Sequence, residues 1–120
     1  MLVVGLNSDR SVREIKGEGR PIIDQQGRAE MLAALACVDY VVIFDQTSVS
    51  GLVEHLLPDV LVKAAQYSVD QVVGHEIVLA HGGHVVAVPM NPAYSTTGLV
   101  ERIRKLPAST SGRNSRRSAA

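Results

Sequence analysis

The sequence has very few aromatic residues and only one cysteine. Phe, Trp and Tyr together make up 3% of its 120 residues, and tryptophan is absent. A core with so few rings must be built from Val, Leu, Ile and Ala, which are typical of a buried parallel sheet covered by helices. Cys37 cannot form a disulfide within the chain, which fits a reducing compartment and predicts a cytoplasmic protein.

Long apolar runs and a strong charge of one sign are also missing. No run reaches the length of a membrane span, and no signal pattern opens the sequence, so we expect no membrane partner. Lys and Arg number 12, as do Asp and Glu, but the three arginines of residues 107–120 have no acid beside them. The body of the chain is therefore mildly acidic, which argues against nucleic acid as its main partner.

Several catalytic signatures are absent, and one is misleading. The sequence contains neither a P-loop nor a G-x-S-x-G motif. The residues His81-Gly82-Gly83-His84 match the letters H-x-G-H of nucleotidylyltransferases, whose chemistry needs both imidazoles at the start of the first helix. Here the pattern falls between a predicted helix and the last predicted strand, so we interpret the glycines as a helix end. The histidine spacing matches no metal signature, and no metal site is predicted.

Apolar patterning predicts one domain in which strands and helices alternate. The predicted strands cover residues 2–6, 40–44, 59–63 and 84–88. The predicted helices cover one turn at 11–15, then 24–37, the stretch from about 49 to Pro58, 69–81 with a break at Gly74, and 97–106. This order is typical of an α/β fold, a Rossmann-like parallel sheet with helices on both faces. Residues 107–120 are rich in Ser and Arg and predict a disordered tail, so the domain is 1–106.

Polar residues gather where the predicted strands end. In doubly wound sheets, ligands bind beyond the carboxyl ends of the strands. Asn7 and Asp9 follow the first strand, Lys63 ends the third, and residues 95–97 open the last helix. Their convergence predicts a binding site at this end of the sheet.

The Ser95-Thr96-Thr97 run has two explanations. A helix N-terminus offers free N–H groups and a partial positive charge, so the three hydroxyls could complete a phosphate site. Alternatively, one of them only caps the helix. Lys16 and Arg20, in a loop rich in glycine, could both face one anion, but a solvated loop is the alternative there.

Several segments together resemble one family. They run in unbroken order through residues 2–106 and include Val-Val-Gly-Leu-Asn-Ser-Asp at 3–9, Lys-Gly-Glu-Gly-Arg-Pro-Ile at 16–22, Arg-Ala-Glu-Met-Leu-Ala-Ala-Leu at 28–35, Pro-Asp-Val-Leu-Val-Lys at 58–63 and Ser-Thr-Thr at 95–97. They are similar to the adenylyltransferase domain of the ADP-heptose synthases, which are cytidylyltransferase-like nucleotidyltransferases. The resemblance implies a Rossmann-like fold and attack of a sugar 1-phosphate on the α-phosphate of ATP, releasing pyrophosphate. It also implies ATP and a sugar phosphate as partners, with Mg²⁺ on the ATP phosphates.

The resemblance also assigns roles to individual residues. It implies nucleotide-phosphate binding by Ser95, Thr96 and Thr97, phosphate or substrate binding by Lys16, Arg28 and Lys63, and a pocket lined by Asn7 and Asp9. Nucleotidyl transfer needs cations and oriented N–H groups around developing charge more than it needs a nucleophilic side chain, and these residue types fit that requirement.

The departures from the family concern its beginning. The family opens with a strand, a Gly-x-Phe-Asp segment and the true H-x-G-H on the first helix, none of which this sequence contains. Ala64-Ala65-Gln66-Tyr67 stands where the family has Gly-Gly-Asp-Tyr. We therefore expect an N-terminally truncated domain with no catalytic histidines and two apolar strand edges left unpaired. The alternatives are an enzyme that acts once the segment is supplied, a non-catalytic nucleotide-binding remnant, and a homo-oligomer or subunit completed by a partner chain.

Overall fold

The computed structural model describes residues 1–64 and 68–107, and the chain divides into two units. The first, Met1–Pro89, contains all four strands, and the second begins at Met90 and contains one helix in its described part. The strands are β1 (Val3–Asn7), β2 (Tyr40–Phe44), β3 (Val60–Ala64) and β4 (His84–Val88). The helices are α1 (Asp9–Lys16), α2 (Gln25–Ala33), α3 (Ser50–Leu56), α4 (His75–Ala80) and α5 (Thr96–Arg104), and a 3₁₀ turn spans Val69–Gln71.

The predicted α/β class with parallel strands is confirmed. β1 pairs with β2 in parallel, from Val3 opposite Tyr40 to Asn7 opposite Phe44. β3 pairs with β4 in the same sense, from Val60 opposite His84 to Ala64 opposite Val88. The described strands form two two-stranded ladders rather than one continuous sheet, so β1 and β3 each have one edge without a strand partner within 1–64 and 68–107.

Side-chain caps set the start of three helices. Oγ of Ser8 accepts a hydrogen bond from the backbone N–H of Ser11, Oδ1 of Asp24 from that of Gly27, and Oγ of Ser95 from that of Gly98. Each cap satisfies one of the N–H groups that a helix leaves unpaired in its first turn. Because Ser8 caps the helix, α1 covers Asp9–Lys16 and is longer than the single turn predicted over 11–15.

The predicted extent of the second helix is wrong. The helix α2 ends at Ala33 rather than near Cys37, and Met31 and Leu35 are about half exposed. The reason lies at Asp39, because its backbone N–H and that of Tyr40 both donate to the carbonyl oxygen of Leu2. The chain must already be extended at this point, so the helix has to end several residues earlier.

The first unit has a small core where two helices meet. The buried apolar side chains among the described residues are Val53 of α3, Val72 directly after the 3₁₀ turn, and Val78 of α4. Gly74, at φ +92, breaks the predicted 69–81 helix, and a Cβ there would lie 3.0 Å from Cγ2 of Val53. Glycine therefore supplies both the left-handed backbone and the close approach between α3 and α4.

Some predictions fall outside the described residues. These are the tail, apart from Pro107, and positions 65–67 of the segment that departs from the family. Within the described part of the chain, no helix is long and apolar enough to cross a membrane.

Gly83, which follows α4, tests the packing of the second ladder. A Cβ there would lie 2.8 Å from the carbonyl oxygen of Asp59 and 2.7 Å from Cγ1 of Val78. A backbone oxygen cannot move aside cheaply, so we expect Gly83→Ala to lower the free energy of unfolding by about 1–3 kcal/mol in urea titrations followed by circular dichroism.

Gly51 provides the matched control for that substitution. It lies in α3, and a Cβ there would meet nothing within 4 Å. Gly51→Ala should leave stability unchanged or raise it by up to about 1 kcal/mol, because alanine is the better helix former. Equal urea midpoints for the two variants would contradict the packing described for Gly83.

Candidate functional site

A buried group of polar side chains fixes the carboxyl end of β1. Ser8 and Ser11 are 4% and 0% exposed, and Oγ of Ser11 donates to the carbonyl oxygen of Ser8 at 3.2 Å. The side-chain amide of Asn7 donates to Oγ of Ser11 at 3.1 Å and to the carbonyl oxygen of Gln46 at 3.3 Å. These bonds join the end of β1 to α1 and to the loop after β2, so the predicted pocket residue Asn7 holds the strand ends in place.

Asp9 and Arg28 form an ion pair between α1 and α2. Nη2 of Arg28 donates to Oδ1 of Asp9 at 2.8 Å, and the two side chains are 19% and 28% exposed. Nε of Arg28 donates to the carbonyl oxygen of Ile23, and the backbone N–H of Asp9 donates to the side chain of Gln25. The guanidinium predicted to contact phosphate therefore also links α2 to α1 through Asp9.

The ion pair alters the titration of the carboxyl group. Desolvation alone would raise the pKa of Asp9, but the hydrogen bond from Arg28, the backbone N–H bond and the positive charges of Arg28 and Arg13 outweigh it. The pKa of Asp9 consequently lies below its ordinary value of 3.8. The carboxylate is charged at neutral pH and neutralises part of the positive charge that Arg28 could offer to an anion.

A cleft of about 360 Å³ opens beside this ion pair, within the size range of small-molecule sites. Its charged lining consists of Asp9, Arg13, Glu18, Arg20 and Asp24. Alternating carboxylates and guanidinium groups can bind hydroxyl groups and a phosphate of one ligand together. The sequence reasoning identified Arg20 and Asp9 but missed Arg13, whose only signal was its place one turn after Asp9 on a helix.

The other predicted cations lie apart from this cluster. Lys16 is the last residue of α1, and Lys63 is the fourth residue of β3, opposite Ala87. Both side chains are exposed, and neither ammonium group makes an ion pair or hydrogen bond with the residues that the structure describes. They are therefore available to an anion, whereas Arg28 already has protein partners, and its role in phosphate binding stays a prediction.

The Ser95-Thr96-Thr97 run belongs to the second unit. Ser95 is the N-cap of α5, and its Oγ accepts from the backbone N–H of Gly98 at 2.9 Å. The capping explanation therefore holds for Ser95. Thr96 and Thr97 are the first two residues of the helix, and both are exposed. Their role in phosphate binding stays a prediction.

The histidine pattern lies at the wrong end of a helix for phosphate activation. His81 is the C-cap of α4, its Nδ1 contacts the carbonyl oxygen of Ile77 at 2.9 Å, and His84 is the first residue of β4. A helix C-terminus carries partial negative charge, which repels phosphate. The residues that the structure describes contain no group of three or more His, Cys, Asp or Glu that could hold a metal ion.

A second cleft, of about 470 Å³, lies where α3 meets the start of α4. Its lining includes the acidic residues Glu54, Asp70 and Glu76, together with His75. Three carboxylates without a lysine or arginine in the lining disfavour a phosphorylated ligand by like-charge repulsion, whereas Arg13 and Arg20 offset the carboxylates of the first cleft. Although larger, this cleft fits the predicted substrates less well than the one beside Asp9.

Comparison with known proteins identifies the family. The family model described as cytidylyltransferase-like matches residues 1–111. The chain belongs to the cytidylyltransferase-like family. The predicted nucleotidyltransferase resemblance is therefore confirmed, and the buried group at the end of β1 lies within the matched region.

Individual relatives agree with that assignment. The chain is 56% identical over 101 residues to the bifunctional protein HldE of Nitrobacter hamburgensis. The aligned region covers 84% of this chain and 21% of the relative. The chain is 53% identical over 104 residues to HldE of Rhodopseudomonas palustris strain BisB5, covering 87% and 21%. It is 51% identical over 105 residues to HldE of Geobacter sulfurreducens, covering 88% and 21%. The chain spans about a fifth of the length of the curated relatives it matches.

Titration of Asp9 gives a test of the ion pair. Its folded-state pKa is depressed, so it contributes stability above its unfolded pKa, and that contribution is lost as pH falls through the folded pKa. We expect the free energy of unfolding of the wild type to fall below about pH 4 more steeply than that of Asp9→Asn.

Urea midpoints measured between neutral pH and about pH 3 check this expectation. Asp45→Asn, which changes an exposed acid after β2, serves as the control and should keep the wild-type slope. Parallel pH profiles for the wild type and Asp9→Asn would show that the Arg28 pair adds nothing to stability.

Proposed function

We propose that this chain is the substrate-binding part of an adenylyltransferase that moves AMP from ATP to a sugar 1-phosphate, with heptose 1-phosphate as the acceptor. In this reaction an oxygen of the sugar phosphate forms a bond to the α-phosphorus of ATP while the bond to the leaving pyrophosphate breaks. The observation that carries the proposal is the identity of 51–56% to bifunctional HldE proteins across more than four fifths of the chain. We propose a cytoplasmic location on the same ground.

The described geometry supports separate roles for the charged residues. Lys63 and Lys16 have ammonium groups with no protein partner among residues 1–64 and 68–107, so each can contact a phosphate. Arg13 and Arg20, with the carboxylates beside them, suit the hydroxyl groups and phosphate of a sugar. Arg28 acts indirectly by fixing Asp9 at the rim of this cleft. We propose that the start of α5, at Thr96 and Thr97, contacts the nucleotide phosphates.

Mg²⁺ is the ion expected with ATP. It binds mostly through substrate phosphate oxygens and water and needs few protein ligands. The scarcity of clustered protein ligands in the described part of the chain is compatible with that mode. The ion would neutralise charge on the phosphates, while Lys63 and Lys16 would orient them.

The only H-x-G-H in the sequence, at residues 81–84, follows a helix instead of starting one. We therefore expect the chain to bind ATP but not to catalyse nucleotidyl transfer. We expect isothermal titration calorimetry to detect ATP with Mg²⁺, and we expect no pyrophosphate release when D-glycero-β-D-manno-heptose 1-phosphate is added. Pyrophosphate release at ordinary enzyme rates would refute the prediction that this chain is catalytically impaired. Failure to bind ATP would refute the proposed function and favour an inert domain.

Lys63 provides the sharper test of the phosphate site. Lys63→Ala removes an exposed ammonium at the end of β3, so stability should change little. Loss of one charge-assisted hydrogen bond should weaken ATP binding about tenfold or more. Lys105→Ala removes an equally charged side chain after α5 and should leave the dissociation constant unchanged. Equal affinities for the two variants would exclude Lys63 from the site.

A further inference from the structure

The orientation of the Asn7 side-chain amide is fixed by its two neighbours. Its Nδ2 donates to Oγ of Ser11 at 3.1 Å and to the carbonyl oxygen of Gln46 at 3.3 Å. Oγ of Ser11 gives its own hydrogen to the carbonyl oxygen of Ser8, so it can only accept from Asn7. A reversed amide would place its oxygen against two other acceptors, which excludes that orientation.

The amide oxygen of Asn7 is consequently left for another molecule. Oδ1 accepts no hydrogen bond from residues 1–64 and 68–107. The residue is only partly buried, so the oxygen can be reached by a small ligand. Because both hydrogens of the amide are used within the protein, Asn7 offers a ligand an acceptor and no donor.

Asp9, two residues later, also offers an acceptor. Its Oδ1 accepts from Nη2 of Arg28 at 2.8 Å, whereas its Oδ2 accepts no hydrogen bond from the part of the chain that the structure describes. The side chain is 28% exposed and lines the cleft of about 360 Å³. The Cα atoms of residues two apart are separated by at most about 7 Å, so one monosaccharide can contact both Asn7 and Asp9.

The backbone donors at this end of β1 are used within the protein. The N–H of Ser8 donates to the carbonyl oxygen of Phe44, and that of Ser11 donates to Oγ of Ser8. The N–H of Asp9 donates to Oε1 of Gln25 at 2.9 Å. A phosphate, which needs donors, would meet the negative charge of Asp9 here, whereas a hydroxyl group can donate to either free oxygen.

Arg13 supplies the donors that Asn7 and Asp9 do not offer. It lies one turn after Asp9 on α1 and lines the same cleft. Its guanidinium forms no salt bridge with the described residues. Guanidinium groups bind phosphate oxygens through paired N–H groups, so the phosphate of a ligand in this cleft has a place apart from the end of β1.

We propose that the carboxyl end of β1 selects the sugar phosphate by its hydroxyl groups. Oδ1 of Asn7 and Oδ2 of Asp9 each accept a hydrogen bond from a sugar hydroxyl, while Arg13 binds the phosphate. The assignment rests on the proposed function, because it takes a sugar phosphate as the ligand. It adds that these two residues bind hydroxyl groups and do not contact the phosphate.

Two phosphate monoesters test the role of Asp9. They are D-glycero-β-D-manno-heptose 1-phosphate, which carries hydroxyl groups, and methyl phosphate, which carries none. Each is titrated at neutral pH into the full isotope-labelled chain, and dissociation constants are taken from NMR chemical shifts. Asp9→Asn keeps an oxygen for Arg28 but replaces the other acceptor with a donor. We expect heptose 1-phosphate binding to weaken about tenfold or more. Methyl phosphate binding should stay equal or strengthen, because a negative charge is removed.

Asp59→Asn provides the matched control. It makes the same chemical change at an exposed acid just before β3, at the amino end of the strand. Both dissociation constants should equal those of the wild type. A loss of heptose 1-phosphate binding in this variant equal to that in Asp9→Asn would overturn the assignment, by showing that general charge causes the effect.

Asn7 is followed without substitution, because replacing it would disturb its bonds to Ser11 and Gln46. A hydrogen bond accepted by Oδ1 polarises the amide, so its side-chain nitrogen and hydrogen resonances should shift when heptose 1-phosphate binds. Methyl phosphate at equal saturation should leave these resonances in place. A shift with methyl phosphate would overturn the assignment, by placing phosphate at the end of β1.

The remaining outcomes separate this assignment from the proposed function. Equal weakening of both ligands in Asp9→Asn would overturn the assignment, since it would indicate damage to the fold. Binding of mannose 1-phosphate with the expected pattern, but not of heptose 1-phosphate, would support the assignment and refute only the proposed acceptor. Failure of the chain to bind either sugar phosphate would overturn the assignment, while ATP binding with Mg²⁺ would still support a nucleotide-binding function.

Discussion

The contact between Val53 and Gly74 is the constraint on which the first unit depends. It brings α3 and α4 together, and these helices contact both ladders, which are not paired with each other within the described residues. Glycine at φ +92 allows the approach, because a side chain at that position would meet three atoms of Val53 within 3.3 Å. The other buried apolar side chains of the described residues, Val72 and Val78, lie just before α4 and within it.

The charged residues of the first unit fall into two groups. Some are paired with other groups of the protein, and others are available to a ligand. Arg28 satisfies Asp9 and a backbone carbonyl, and in doing so fixes how α1 and α2 cross. Lys63 and Lys16 have no such commitments within residues 1–64 and 68–107. A cation that is already paired with a carboxylate loses much of its attraction for a phosphate. Whether a cation has a protein partner is therefore a better guide to phosphate contact than its place in a family motif.

Local signals sufficed for part of the fold. The strands Tyr40–Phe44 and His84–Val88 agree with their predicted bounds, because each is a continuous run of residues that favour strands. The end of α2 could not be predicted, since it depends on hydrogen bonds from Asp39 and Tyr40 to Leu2, far away in the sequence.

The same distinction applies to the site. Asn7 and Asp9 could be placed at the end of a strand by pattern alone. The pairing of Asp9 with Arg28 could not, because it depends on the angle between two helices. Ser11 was missed for a similar reason. Its spacing from Ser8 is typical of a helix cap, but only packing shows that both hydroxyls are buried.

In the part of the chain that the structure describes, β1 and β3 each have one edge without a strand partner, which affects the behaviour of the protein in concentrated solution. Each presents a row of backbone donors and acceptors beside apolar side chains, which is the arrangement that templates strand addition between molecules. The exposed valines of β3 and β4 add a hydrophobic surface next to one of these edges; they are Val60, Val62, Val86 and Val88. Self-association into β-rich aggregates therefore competes with any binding reaction of the chain, most strongly at high protein concentration.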